Sequence, residues 1–132
     1  MSDPVQPTAR ELAILKVLWE LGEGSVRQVH ERLRDELDIV QNTVQAFLRT
    51  MEEKGLVTHT TKGRTFIYRP AAPRDRTSRS LMSTMLDRLF DGAMDELVAS
   101  AMSVRKPKTE EIARLRALLD AADSGDKRGG SR

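Results

Sequence analysis

The sequence contains no cysteine, which excludes disulfides, thiolate metal sites and cysteine nucleophiles. Aromatic residues are scarce, with one Trp, one Tyr and three Phe among 132 residues, so any core must be built from Leu, Ile, Val and Met. No run of about 18 apolar residues occurs, and nothing is expected to span or insert into a membrane. Residues 1–8 have neither a basic n-region nor an apolar h-region, so no signal peptide is expected and a cytoplasmic location is. Enzyme signatures are missing too. His30-Glu31 opens something like a zinc-protease helix, but Arg34 stands where the second His is needed. Gly22 and Gly24 make half of a dinucleotide loop, with no strand before them and no third glycine. The isolated histidines, His30 and His59, read as surface residues rather than ligands. No catalytic residue, metal or cofactor is therefore expected.

Charge of one sign is also absent overall. The chain has 22 basic and 20 acidic side chains, a net charge of +2, and residues 1–71 carry ten of each. The distribution is uneven, however. Between Lys54 and Leu86 lie seven basic residues (Lys54, Lys62, Arg64, Arg69, Arg74, Arg76, Arg79) and a single acid, Asp75. Such a run can meet phosphates even when the average is near neutral; alternatively it is a solvated basic face.

What is present is periodicity. Thr8-Ala9-Arg10-Glu11 forms a capping box, followed by Leu12, Leu15, Leu18 and Trp19 on one helical face and by Gly22 as a stop. Ser25 caps a second helix through Val26, Val29 and Leu33, ending near Leu37. A third helix spans about Val40 to Lys54, with Val44, Phe47, Leu48 and Met51 as its buried stripe, Asp38 with Gln41 as the candidate cap, and Gly55 just beyond its end. The period then drops toward two: Leu56–Thr61 and Arg64–Arg69 are β-branched or aromatic strands joined by a Lys62-Gly63 turn. Helix, helix, helix and hairpin within about 65 residues is the order of a winged helix-turn-helix. Beyond Pro73 the pattern is helical again. Stripes at Leu81, Met82, Met85, Leu86, Leu89 and Phe90, at Leu97, Val98, Ala101 and Met102, and at Ile112, Leu115, Leu118 and Leu119 are separated by Asp91-Gly92 and Lys106-Pro107. Three thin amphipathic helices are better buried against a second copy of themselves than alone.

The third helix turns Gln41, Asn42, Thr43, Gln45, Ala46 and Arg49 outward. Asn and Gln suit adenine edges, Arg suits guanine, and Ala can touch a thymine methyl. The bland reading is an ordinary polar helix surface; its position between a helix-turn-helix and a hairpin favours base reading. Glu52 and Glu53 would repel phosphate, so the N-terminal part of the helix should enter the groove. The hairpin tip, Lys62-Gly63-Arg64, would follow phosphates or the minor groove, and Ser25 at a helix N-terminus could hold a phosphate as well as cap.

The segments TARELAILKVLWELGEGSVRQVHERL, NTVQAFLRTMEEKGLV, GRTFIYRP, LDRLFDGAMDELVASAM and TEEIARLRALL, in that order, resemble the penicillinase-repressor family of bacterial transcriptional regulators (the BlaI/MecI type) over about Thr8 to Leu119. The resemblance implies a winged-helix repressor whose C-terminal helices interlock in a dimer, binding inverted-repeat operators often built on TACA/TGTA. Many members are inactivated when a membrane metalloprotease sensor triggers cleavage in the dimerisation region. Characterised members are cut at an Asn-Phe bond. The corresponding position here is near Ser100-Ala101, and Asn42 is the single Asn of the chain. The C-terminal Cys pair of copper-responsive members has no counterpart. Where members often carry Arg, this chain has Thr50, with its own arginine one step earlier at Arg49.

The expectation is a mainly α protein: a winged-helix DNA-binding domain at 8–71, a helical dimerisation domain at 74–122 and a disordered tail at 123–132. Base contacts fall to Gln41, Asn42, Thr43, Gln45, Ala46 and Arg49, and backbone contacts to Ser25, Lys62, Gly63 and Arg64. The dimer is assigned to Leu81, Met85, Leu89, Phe90, Leu97, Val98, Met102, Ile112 and Leu115. The expected partners are double-stranded DNA carrying an inverted repeat, a second copy of the chain, and a membrane metalloprotease sensor system. The competing readings are a winged helix for protein–protein contact and a ligand-sensing repressor.

Overall fold

The computed structural model describes the backbone of residues 6–129 and side chains through residue 125. Among the described residues, six helices and one hairpin follow the order α1 (Ala9–Leu21), α2 (Val26–Leu33), α3 (Gln41–Glu53), β1 (Val57–Lys62), β2 (Thr65–Pro70), α4 (Arg74–Arg88), α5 (Met94–Val104) and α6 (Thr109–Gly129). The chain divides into two compact units, one up to Met85 and one from Leu86 onward.

In the first unit, α1 starts with the expected capping box. The Glu11 amide donates to Thr8 Oγ1 at 3.2 Å, and the Thr8 amide donates to Glu11 Oε1 at 2.9 Å. Glu11 is nevertheless buried, and Lys54 Nζ, at the end of α3, reaches both its oxygens at 2.8 and 3.0 Å. Burial alone would raise the Glu11 pKa; the Lys54 hydrogen bond and charge and the Thr8 amide and hydroxyl outweigh it and hold the carboxyl below its usual range. Helix α2 has a second capping box, of which only the Ser25 cap is expected from the sequence: Ser25 Oγ accepts from the Gln28 amide, and Gln28 Oε1 accepts from the Ser25 amide. The helix ends at Leu33 rather than near Leu37. The reason is Ile39, which is buried in the core and needs the chain to turn before α3. His30 Nε2 donates to the Ile39 carbonyl at 2.9 Å and fixes that turn.

Helix α3 starts at Gln41 with Val40 as its N-cap and no side-chain cap bond, so the expected Asp38–Gln41 cap does not form. Its end is stronger. The Leu56 amide donates to the Met51 carbonyl and the Gly55 amide to the Glu52 carbonyl, the paired bonds of a Schellman motif. The buried stripe forms as expected, with Val44, Leu48 and Met51 fully inside and Phe47 half-buried. They pack with Ile14, Leu15 and Leu18 of α1, Val29 and Leu33 of α2, and Val57 and Tyr68 of the hairpin in one cluster.

The hairpin is antiparallel, pairing Val57 with Pro70 through Lys62 with Thr65. Its two-residue loop is therefore Gly63-Arg64, one position later than the expected Lys62-Gly63. Gly63 has φ +64°, the backbone that a tight hairpin demands and that glycine adopts without strain. The sheet also gains a contact that periodicity did not reveal. Between α1 and α2, Gly24 exchanges two backbone hydrogen bonds with Tyr68, at 2.8 and 2.9 Å. A Cβ on Gly24 would stand 3.2 Å from Leu21 Cδ1, a tight contact that Leu21 would have to yield to. Trp19 Nε1 donates to the Ala72 carbonyl at 2.9 Å and ties the exit of β2 back to α1.

Helix α4 begins at Arg74, as expected, and the breaks at Asp91-Gly92 and Lys106-Pro107 separate α4, α5 and α6. No residue of α4 or α5 is fully buried. Helix α6 continues to Gly129, into the segment expected to be a tail from Asp123; Ala121 and Ala122 are strong helix formers and no proline follows them. Residues 130–132 lie outside the described residues. No described helix is long and apolar enough to cross a membrane.

Candidate nucleic-acid interface

Because Val44, Leu48 and Met51 anchor one side of α3, the helical period forces Gln41, Asn42, Thr43, Gln45, Ala46 and Arg49 to the outside, and all six are exposed. The hairpin, held in place by Val57 and Tyr68, stands beside them as a wing. Between the two runs a groove of about 620 Å³. Its walls are Ser25, Val26 and Arg27 at the start of α2, Gln41 and Gln45 on α3, and Arg64, Thr65, Phe66 and Tyr68 on the wing. Residues chosen separately as base readers (Gln41, Gln45) and backbone holders (Ser25, Arg64) thus meet in one cleft. Asn42, Thr43, Ala46 and Arg49 share the exposed helix face but do not line the groove. Lys62 and Gly63 are exposed at the wing tip.

Lys62 has an acidic neighbour. Glu23, in the loop before α2, accepts from Lys62 Nζ at 3.4 Å and from Arg69 Nη2 at 3.1 Å. All three side chains are at least partly solvated, so these pairs hold loosely and leave Lys62 able to exchange Glu23 for a phosphate. The Ser25 hydroxyl accepts the Gln28 amide, so its first role is the cap. At the other end of α3 the two acids differ. Glu53 is exposed, whereas Glu52 is turned onto the wing, where His59 Nδ1 lies 2.8 and 2.6 Å from its two oxygens. His59 also stacks on Phe66 at 4.1 Å between ring centroids. Both histidines read as surface residues are therefore half-buried and bonded. The Tyr68 phenol is pushed above its ordinary pKa by burial first and by Glu52 second, against an opposing pull from Arg49; it stays a protonated donor at neutral pH.

Sequence reasoning missed Arg27, Phe66 and Tyr68 as groove residues. Arg27 was legible in principle, two positions after the Ser25 cap. Phe66 and Tyr68 share one face by strand alternation, but which face looks at α3 depends on the register and on the Gly24 bridge.

The residues assigned to the dimer are only partly covered. Leu81, Phe90, Leu97, Ile112 and Leu115 are half-buried, while Met85, Leu89, Val98 and Met102 are exposed. Within the second unit Leu97, Val98, Met102 and Leu115 line an apolar groove of about 440 Å³ between α5 and α6. Among the described residues no three His, Asp or Glu side chains gather where they could hold a metal.

The sequence model of the penicillinase repressor family matches residues 7–121, most of the chain. The chain belongs to that family. It is a family of DNA-binding transcriptional repressors, not of enzymes. The penicillinase repressor of Bacillus licheniformis is 24% identical over 110 residues, which is 83% of this chain and 86% of the relative. The transcriptional regulator BlaI of Mycobacterium tuberculosis is 30% identical over 116 residues, 87% of this chain and 83% of the relative. Among solved structures, the DNA-binding domain of the repressor BlaI is similar at 27% identity and a TM-score of 0.49, over 56% of this chain and 90% of that one. Monomeric Bacillus licheniformis BlaI in complex with the blaP half-operator is similar at 27% identity and a TM-score of 0.49, over 57% and 92%.

Proposed function

We propose that this family member is a cytoplasmic repressor that grips an inverted-repeat operator as a homodimer and silences a promoter by occluding it. Residues 8–71 form the DNA-binding domain and residues 74–122 the dimerisation domain. Gln41, Asn42, Thr43, Gln45, Ala46 and Arg49 read base edges in the major groove. Lys62, Gly63 and Arg64 hold the sugar-phosphate backbone, with Ser25 and its neighbouring amides at a second backbone contact. The carrying observation is the groove that joins Gln41 and Gln45 to Ser25 and Arg64. One strand of a duplex following that groove would present bases to α3 and phosphates to both rims. Leu81, Met85, Leu89, Phe90, Leu97, Val98, Met102, Ile112 and Leu115 build the dimer, supported by C-terminal helices that leave large apolar side chains exposed in a single chain.

Derepression by a membrane metalloprotease sensor belongs to the same reading. Ser100 and Ala101, at the position of the family's cleavage bond, are exposed on α5.

The test is selection of duplexes from a random pool by the purified protein, followed by binding titrations at several salt concentrations and sedimentation. An enriched inverted repeat, salt-dependent affinity and a two-chain species are expected. A single-chain species that ignores every duplex at low salt would leave the protein–protein module as the reading, and loss of binding on addition of a small molecule would favour the ligand sensor.

A further inference from the structure

Arg49 and Glu52 sit three residues apart on α3, close enough on a helix to pair with each other. They do not. Among the described residues Arg49 makes no hydrogen bond or ion pair, and both oxygens of Glu52 face His59 on β1. A carboxylate only accepts, so His59 Nδ1 carries the hydrogen in this contact. The ring is held by more than that bond. Phe66 lies parallel to it at 4.1 Å and 15°, and Tyr68 flanks it at 5.6 Å. His59 and its two aromatic neighbours therefore stand on the face of the wing that meets the last turn of α3. Glu52 and Arg49 both act on the Tyr68 phenol from that side, with opposite sign.

We propose that His59 is a positioning residue for DNA binding: it draws the Glu52 carboxylate onto the wing and so leaves the Arg49 guanidinium unpaired for a guanine edge or a phosphate. The inference rests on the DNA-binding reading above and adds a residue that touches no nucleic acid. Without the His59 donor, Glu52 has one cation within helical reach, Arg49, and a negative charge free to face the phosphates. Both changes weaken binding. The arrangement also answers how a recognition helix tolerates an acid in its last turn beside the wing.

The test uses the full chain and a duplex that the wild-type protein has enriched from a random pool. His59→Phe keeps a ring to stack on Phe66 and removes the donor. His59→Asn keeps a donor near the Nδ1 position and removes the ring. His59→Phe should lower affinity on the order of tenfold, the size of losing a base-reading contact. His59→Asn should recover most of that loss. Combining His59→Phe with Glu52→Gln should also restore binding, because the charge that captures Arg49 is gone. Thermal midpoints are recorded alongside. Equal binding by wild type and His59→Phe overturns the proposal. So does a double variant as weak as His59→Phe, since the loss then comes from the wing itself and not from the Glu52 charge. If His59→Phe fails to fold, Glu52→Gln alone decides: it should bind at least as tightly as wild type, and a clear fall counts against the proposal. Wild-type protein that enriches no duplex refutes the DNA-binding reading instead, so the two failures are separable.

Discussion

Arg49 and Lys62 are both cations near the proposed DNA surface, yet they should behave differently. Arg49 projects from the exposed face of α3, and Arg49→Ala is expected to cost about 1–3 kcal/mol of specific binding while relaxing preference at one base position; titrations against single-base variants of the selected duplex check it. Lys62 sits on the wing with a loose partner in Glu23. Lys62→Ala should weaken all duplexes alike and lower the slope of log affinity against log salt by about one. A change confined to one base position would contradict a phosphate role. Glu11 matters for stability instead. Its carboxyl is buried and charged, holding Lys54 and the first turn of α1. Because its folded-state pKa is lowered, its contribution is complete above the usual carboxylate range and is lost as pH falls through the lowered folded value. The stability difference between wild type and Glu11→Gln in urea should therefore be largest near neutral pH and shrink on acidification. A gap that widens in acid would refute the assignment.

At the scale of elements, hydrophobic period and capping chemistry made most of the winged-helix part legible. The capping box at Thr8–Glu11, the buried stripe of α3 and Gly55 beyond its end follow from residue type and spacing. Boundaries that failed did so where a distant contact decided them. Helix α2 stops at Leu33 because Ile39 must reach the core and His30 captures its carbonyl. The wing turn lies at Gly63-Arg64 because the strand register puts Lys62 opposite Thr65. The Gly24–Tyr68 bridge has no local signature, since one residue pairing with a strand 44 positions away leaves no periodicity. Gly24→Val should expose its importance. The added side chain meets Leu21 and Gln28, and displacing the loop costs two buried backbone hydrogen bonds at about 1–3 kcal/mol for each group left unsatisfied. The expected outcome is a lower thermal midpoint with weakened DNA binding, as the wing loses its brace; an unchanged midpoint would show that the bridge contributes nothing.

For the whole molecule, the contrast between the two ends of the chain is the governing feature. The helices and hairpin of the winged-helix part close a core with a dozen buried apolar side chains, while α4 and α5 bury none completely. In the proposed dimer a second copy covers Met102 and Val98, so charged replacements there should split it. Val98→Glu with Met102→Glu is expected to sediment as one chain. It should bind a single half-site about as well as wild type, but lose the ~100-fold or greater gain that two linked half-sites confer. A double variant that remains dimeric would remove α5 from the interface.

Residue order alone determined the element sequence and the outward set on α3, because capping, turn chemistry and the 3.6-residue period are local properties written in neighbouring side chains. It also carried the likeness to the family. Only the tertiary structure decided that Glu52 meets His59 on the wing, that Arg27, Phe66 and Tyr68 wall the groove, and that Gly24 pairs with Tyr68. Those outcomes depend on strand register and on contacts between segments far apart in the chain, which the shared core of Leu18, Val29, Val44 and Leu48 holds together.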